Sequence, residues 1–246
     1  MKIAAIYDIH GNLPALEAVL DEIEGCGVDE VVVGGDVVPG PMPEETLRAL
    51  RAIAAPTSYL AGNGEADLLS FTRGEPLDRV PEAFRDIVSW TADVLSREDL
   101  EALADWPGSL RRVLLGLGSL LFCHATPRDD NELFTAITPE DRLRPVFDGI
   151  ADVVICGHTH MQFDRMVGGT RVVNAGSVGL PFGEPGAYWA LLTPRGVELR
   201  RTAYDLEAAT ARFAESTYPH VETIDLASPP EASAMVEAFE VAALGA

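Results

Sequence analysis

Seven side chains of metal-binding types stand at or just beyond the ends of apolar stretches in this sequence. The apolar stretch 153–156 runs into Gly157-His158-Thr159-His160, which places two imidazoles two positions apart. Four earlier apolar stretches lead to Asp8 and His10, to Asp36, to Asn63 and to His124. Carboxylate, amide and imidazole groups without thiolate suit Mn²⁺, Fe, Zn²⁺, Ni²⁺ or Co²⁺ better than Mg²⁺ or Ca²⁺.

These side chains can meet if the apolar stretches are strands of an α/β architecture. In an open α/β sheet, ligands bind at the carboxyl ends of the strands. Two aspartates, one asparagine and four histidines are more ligands than one ion needs. The sequence therefore predicts two divalent transition-metal ions, with manganese preferred. Asp36 is the candidate to join them, because a carboxylate can bridge two cations about 3.5–4 Å apart.

The apolar stretches alternate with helical patterns in the first part of the chain. Strands are predicted at 2–8, 30–36 and 57–62. Between them we expect a helix through about Glu24, ended by Gly25 and Gly27, and a second helix over 43–54. This alternation favours parallel strands with helices on both faces of the sheet.

The remainder of the chain changes pattern twice. Residues 66–108 show helical patterns at 82–95 and 97–104 and no strand pattern, so we expect a helical insert that can act as a substrate-selecting cap. Further strands are predicted within 110–123 and at 152–156, 161–167, 171–174, 187–194 and 196–202, with a helix at 139–147. Residues 205–246 are expected to add a C-terminal extension of two helices separated by Pro229-Pro230, and the whole chain, 1–246, is expected to be one domain.

Composition narrows the functional classes. The chain has 246 residues, is 47% hydrophobic and carries a formal charge of −21. So negative a field disfavours tight non-specific nucleic-acid binding, whereas bound cations would still admit a small phosphorylated substrate. Three scattered cysteines without a C-x-x-C pair argue against structural zinc and disulfides. No apolar run can span a bilayer and no signal-peptide core is present, so we expect a cytoplasmic protein without a membrane partner. The oligomeric state is left open.

The ordered motifs resemble those of a known family. Asp8-Ile9-His10, Gly35-Asp36, Gly62-Asn63, His124 and Gly157-His158-Thr159-His160 are similar to the motif series of the calcineurin-like metallophosphoesterases. The segment 174–179 is similar to the Asn-x-Gly-Ser-Val-Gly run of its small bacterial branch, related to diadenosine tetraphosphatase-like and YfcE-like phosphodiesterases. The resemblance covers residues 2 to about 202. It implies an α/β fold, a four-layer αββα sandwich of two mixed sheets, to which the helical insert is added.

The resemblance also implies a division of the ligands. A first ion would be held by Asp8, His10, Asp36 and His160, and a second by Asp36, Asn63, His124 and His158. Asp36 and Asn63 would then be catalytic residues, and Asn63 would also contact the substrate. The implied activity is hydrolysis of a phosphoester by a metal-bridging hydroxide.

One position departs from the family pattern. Many members have a histidine after the motif asparagine, taken to help protonate the leaving group, and this chain has Gly64 there. Losing a positioned proton donor typically costs about 10²–10⁴-fold in rate. We therefore expect small phosphodiesters, anhydrides or nucleotides to be preferred over general monoesters. Glu65 and, with no motif around it, His220 are the remaining candidates for a donor.

Arg128 is a candidate catalytic and substrate-binding residue because it follows His124 closely and can hold a phosphate oxygen bidentately. The alternative is a surface arginine paired with Asp129 or Asp130. Trp90 and Trp106 are interpreted as local core of the insert rather than as a nucleobase platform.

Two other functions stay open for the chain as a whole. One is a non-catalytic metal-binding scaffold of the same fold, like the retromer subunit that resembles this family. The other is a phosphomonoesterase or protein phosphatase, although Gly35-Asp36 lacks the Arg-Gly sequel of the protein phosphatase branch.

Overall fold

The computed structural model describes residues 1–244, which form two five-stranded sheets with helices on their outer faces. The strands are β1 Ile3–Ile6, β2 Glu30–Val33, β3 Thr57–Tyr59, β4 Ser109–Leu114, β5 Gly118–Cys123, β6 Val153–Cys156, β7 Phe163–Val167, β8 Thr170–Asn174, β9 Ala187–Thr193 and β10 Gly196–Thr202. The α-helices are α1 Leu13–Cys26, α2 Pro43–Arg51, α3 Asn63–Thr72, α4 Arg85–Val94, α5 Arg97–Ala104, α6 Glu140–Phe147, α7 Leu206–Ala214 and α8 Ala232–Leu244.

Both sheets are mixed. In the first sheet the order is β10-β9-β1-β2-β3, in which β1, β2 and β3 are parallel and β9 is antiparallel to β1. In the second sheet the order is β4-β5-β6-β8-β7, in which β5, β6 and β8 are parallel. The parallel strands bring the ends of β1, β2, β5 and β6 to one edge, as the sequence predicts.

The core between the sheets explains why the central strands are apolar without alternation. Ile3 and Ala5 of β1 face the second sheet, where they pack in one cluster with Phe122 and Ile155. Ala4 and its neighbours on the other face pack against α1 and α2. A strand that is buried on both faces has no position for a polar residue until it ends. The predicted four-layer αββα sandwich is thereby confirmed.

The predicted elements are present with small shifts at their ends. The turn at Gly168-Gly169 joins the antiparallel strands β7 and β8, as expected. The first helix runs two residues further than predicted, so Gly25 lies inside it and Gly27 alone ends it with a left-handed φ of 58°. Such a φ suits a residue without a Cβ atom.

The insert and the extension lie against each other. Residues 66–108 contain helices and no strand in the described chain, and the first helix of this region starts at Asn63 itself. Trp90 of the insert donates a hydrogen bond to Thr217 Oγ1 at 3.1 Å and meets the Tyr218 ring edge-on. Trp106 stacks on Tyr59 at 4.9 Å between ring centroids. The two tryptophans therefore pack the insert against the extension and against β3, rather than forming a core within the insert. In the extension, α7 and α8 lie on either side of Pro229-Pro230.

Within the described part of the chain, no helix is both long and apolar enough to cross a membrane.

Candidate metal centre

The structure brings the predicted ligands together at one edge of the two sheets. Ligand atoms of three residues in each of two groups lie within 4.8 Å of one another: Asp8, His10 and His160, and Asp36, His124 and His158. Asn63 joins the second group, because its Oδ1 atom lies 3.1 Å from His124 Nε2. These groups agree with the division that the family resemblance implies.

Backbone pairing continues past the strands and holds the ligand loops together. The N–H groups of Asp8 and His10 donate to the carbonyls of Gly35 and Asp36 at 3.1 and 2.9 Å. On the second sheet, the Gly157 N–H donates to the His124 carbonyl at 2.8 Å. The loops that carry the ligands are thus hydrogen-bonded to each other like the strands before them, and this limits the distance between the ligands.

Five predicted ligands adopt the left-handed backbone conformation. Their φ angles are 52° for Asp8, 47° for His10, 49° for Asp36, 68° for His158 and 59° for His160. Among residues 1–244, His220 is the one other non-glycine residue with a positive φ. This conformation costs about 1–2 kcal/mol per residue and is least unfavourable for asparagine, aspartate and histidine. Strain of this kind persists where the surrounding structure enforces it, commonly at functional sites.

Hydrogen bonds to carbonyls set the tautomers of three histidines. The Nδ1 atoms of His10, His124 and His160 lie 3.3, 2.9 and 2.6 Å from the carbonyl oxygens of Pro39, Gly34 and Leu180. A carbonyl can only accept, so each Nδ1 carries a proton and each neutral ring presents a lone pair at Nε2. Carbonyl contacts of this type orient histidine ligands in metal sites.

The resulting lone pairs point at one another. His10 Nε2 lies 3.1 Å from His160 Nε2, and His124 Nε2 lies 3.1 Å from the acceptor Asn63 Oδ1. In addition, Asp8 Oδ1 and His158 Nε2 are buried without a hydrogen-bond partner. Buried acceptors that face each other repel unless a cation or proton lies between them. This set of ligand atoms therefore fits divalent metal ions.

Asp36 is placed between the two groups. Its Oδ1 atom is 3.5 Å from His124 Nε2, and its Oδ2 atom is 3.8 Å from His10 Nε2. Gly64 N–H also donates to Oδ1 at 2.7 Å, which orients the carboxylate. With one oxygen facing each ligand group, the Asp36 carboxylate is placed so that it can bridge two ions.

Burial and charge pull the ligand pKa values in different directions. Burial alone lowers the pKa of His124, but the Asp36 and Asp8 carboxylates outweigh it and raise that pKa to about 10. Burial and the neighbouring His124 lower the pKa of His158 to about 4. Without metal, the centre therefore keeps a proton on His124 at neutral pH, and a metal ion must displace it.

Gly64 has no room for a side chain. A Cβ atom built there would lie 2.3 Å from the Val38 carbonyl oxygen and 3.0 Å from Asp36 Oδ1. A histidine at this position would require the loop after β2 to move. The backbone around position 64 is therefore adapted to glycine and not to the histidine of the family pattern.

Glu65 is fully buried and faces the backbone rather than open space. Its two carboxylate oxygens accept four N–H groups, from Asp36, Val37, Val38 and Gly62, at 2.8–3.1 Å. Burial and the Asp36 carboxylate raise its pKa to about 7, while the hydrogen bonds favour the ionised form. Glu65 thus ties the Asp36 loop to the start of α3, a role that the sequence did not reveal.

The segment 174–179 holds the remaining ligand loops. The Asn174 amide donates to the Gly157 carbonyl at 2.6 Å. Ser177 Oγ donates to the Asp8 carbonyl at 2.7 Å and accepts from Leu180 N–H at 2.8 Å. The family-like run therefore supports the backbone beneath Asp8 and His158.

Arg128 lines a cavity together with His124. Its guanidinium pairs with Glu132, rather than with Asp129 or Asp130, and its side chain is 59% exposed. Arg79, which the sequence did not single out, lines a cavity with His10, Asp36 and Asn63 and a second one with His124. It pairs with Asp67 at 2.9 Å and with Asp130 at 2.6 Å.

Comparison with known proteins agrees with this geometry. The profile of the Calcineurin-like phosphoesterase superfamily domain matches residues 1–196. An uncharacterized protein of Methanocaldococcus jannaschii is 28% identical over 236 residues, covering 88% of this chain and 93% of that protein. The chain belongs to the calcineurin-like phosphoesterase superfamily.

Two solved structures share the fold over nearly the whole chain. A metallophosphoesterase from Sphaerobacter thermophilus superposes with a TM-score of 0.71 at 27% identity, covering 91% of this chain and 97% of that one. A hypothetical protein from Pyrococcus horikoshii superposes with a TM-score of 0.79 at 20% identity, covering 94% and 99%. The second likeness shows the fold alone.

Replacing Glu65 with glutamine should destabilise the protein and weaken metal binding. An amide nitrogen in place of one oxygen leaves two buried N–H groups without an acceptor, which should lower the free energy of unfolding by about 2–5 kcal/mol. Urea denaturation measures it. Glu75→Gln, at an exposed pair with Arg73, is the matched control and should change little. Equal stability of both variants would contradict the role given to Glu65.

Metal binding should release protons and strengthen as pH rises. Because the metal-free centre raises the pKa of His124 to about 10, the proton on His124 competes with metal below that pH. Titration calorimetry in buffers of different ionisation enthalpy measures the protons released. Binding that is independent of pH between 6 and 8 would contradict imidazole ligation.

Proposed function

We propose that this protein is a binuclear, metal-dependent hydrolase of small phosphodiesters or nucleotides, with two divalent transition-metal ions, preferably Mn²⁺. The observation that carries the proposal is Asp36, whose two oxygens face separate ligand groups. When bound, such a pair of ions polarises a phosphoryl group, lowers the pKa of coordinated water and stabilises the leaving oxygen.

The protein supplies position and charge around the reacting phosphate. Asn63 begins α3 and directs its amide oxygen to the second ligand group. Arg79 is supported as the phosphate-contacting cation, because two carboxylates hold its guanidinium beside the ligands. Arg128 remains a weaker candidate for that contact, because it lines the cavity at His124 but not the one at His10, Asp36 and Asn63.

The structure limits the choice of a proton donor. Position 64 cannot hold a side chain, and the Glu65 carboxylate is engaged by four backbone N–H groups. His220 lines the cavity that contains Asp36 and Asn63, so it is the remaining imidazole that could serve. Its Nε2 atom is hydrogen-bonded to Asp86 at 2.7 Å.

Arg79→Ala should lower kcat/KM for bis(p-nitrophenyl) phosphate by about 10²–10³-fold, the usual cost of removing a donor to developing negative charge. Arg79→Lys should recover part of the loss, since it keeps the charge without the bidentate geometry. Inhibition by inorganic phosphate, with metal content matched, reports the binding contribution.

Two further variants separate charge from structure. Asp130→Asn weakens the link between insert and core but keeps the arginine, and it should lose much less activity. Arg73→Ala, which removes an exposed cation near the end of α3, is the matched control. If Asp130→Asn costs as much as Arg79→Ala, Arg79 acts as a structural tie and not on phosphate.

Catalysis should depend steeply on the leaving group. Without a donor at position 64, diesters of acidic phenols should react well and those of alkyl alcohols poorly. The measurement is kcat/KM for the Mn²⁺-loaded protein across leaving groups of graded pKa. A flat dependence would show that a donor acts, and His220→Gln would then steepen it. No Mn²⁺-dependent hydrolysis of any ester would instead favour the metal-binding scaffold.

A further inference from the structure

Three cavities border metal-ligand residues, and two of them, which we call chambers, have mainly apolar linings. The first chamber, of about 500 Å³, starts at His10, Asp36 and Asn63 and runs between the insert and the extension. The second chamber, of about 390 Å³, starts at His160. Each is within the size range of small-molecule sites.

The chambers share one wall. Phe84, Leu180, Thr223 and Ile224 line both of them. Phe84 stands on the short helical turn before α4, and its side chain is 55% exposed although it is large and apolar. An aromatic ring that lines two cavities can contact a bound group in each of them. Flat or apolar groups gain the most binding free energy from such a contact.

The chambers meet where the substrate phosphate is expected. His10 belongs to the first chamber and His160 to the second, and their Nε2 atoms are 3.1 Å apart. Both chambers therefore open at the same ligand group, so a phosphate bound at the metal centre has apolar space within reach in each of them. A phosphomonoester has one organic group to place there, whereas a phosphodiester has two.

Both chambers have further apolar walls. Val80 and Ile87 line the first chamber alone, and Phe182 and Leu226 line the second alone. On the outer side, the insert and the extension are joined by contacts that include the His220–Asp86 hydrogen bond of 2.7 Å. Residues 218–230 lie beyond the stretch that the family profile matches, 1–196, so this wall is an addition to the common core.

We propose that the substrate is a phosphodiester with two flat or apolar organic groups, one in each chamber on either side of Phe84. This inference rests on the proposed function and narrows its substrate class. It assigns Phe84 as a specificity-determining residue.

The test uses three diesters of equal charge: dimethyl, methyl phenyl and diphenyl phosphate. Dissociation constants are measured on the metal-loaded protein by calorimetry and, independently, by inhibition of bis(p-nitrophenyl) phosphate hydrolysis. Burial of an aromatic ring favours binding, so each added ring should tighten binding by about tenfold.

Phe84→Ala should shrink the gain from both rings and leave dimethyl phosphate binding unchanged. The matched control is Leu115→Ala, which removes an 85% exposed apolar side chain from the turn between β4 and β5. Thermal unfolding confirms that both variants fold.

Two outcomes would overturn the inference. One is a second ring that adds less than twofold after the first ring has added its gain, as in a single-pocket monoesterase. The other is a Phe84→Ala variant with unchanged gains. If both rings add affinity while no ester is hydrolysed, the chambers stand and the hydrolase assignment alone fails.

Discussion

The structure depends on the repulsion between buried acceptors that have been brought face to face. His10 and His160 present lone pairs to each other, and His124 presents one to Asn63. Such groups stay together only if a positive charge lies between them, whether a proton or a metal ion. The Asp36 and Asp8 carboxylates raise the pKa of His124, so a proton can supply that charge in the metal-free protein. Metal binding, protonation state and the packing of the two sheets are therefore one coupled property.

Several buried side chains near the ends of the strands hold these acceptors in place. Glu65 binds the backbone of the Asp36 loop, and Ser177 binds that of the Asp8 loop on the same sheet. Asn174 binds the loop that carries His158 on the other sheet. None of these three side chains is among the predicted metal ligands. Their hydrogen bonds resist the repulsion that the ligands generate. The site is thus preorganised by neutral amides and carbonyls as well as by its own charges.

The apolar runs of the sequence were sufficient to predict the strands and the position of the ligand cluster, and the family resemblance implied the two mixed sheets. Central strands are buried on both faces, so the first polar residue after each apolar run marks the sheet edge. The sequence was not sufficient for residues whose partners are far away in the chain. Arg128 is a different case, because its partner Glu132 is only four residues away, where the sequence suggested Asp129 or Asp130. Arg79 lies at the same sheet edge although it belongs to the insert. Glu65 is buried against the backbone. No local sequence pattern predicts either position.

The left-handed backbone at five ligand positions has an evolutionary consequence. At about 1–2 kcal/mol each, this strain is comparable in sum with the net stability of an ordinary domain. Glycine would relieve it at any of these positions, so replacement of a ligand by glycine is favoured by folding and opposed by metal binding. A lineage that no longer requires catalysis should therefore lose its ligands early and become more robust as it does so.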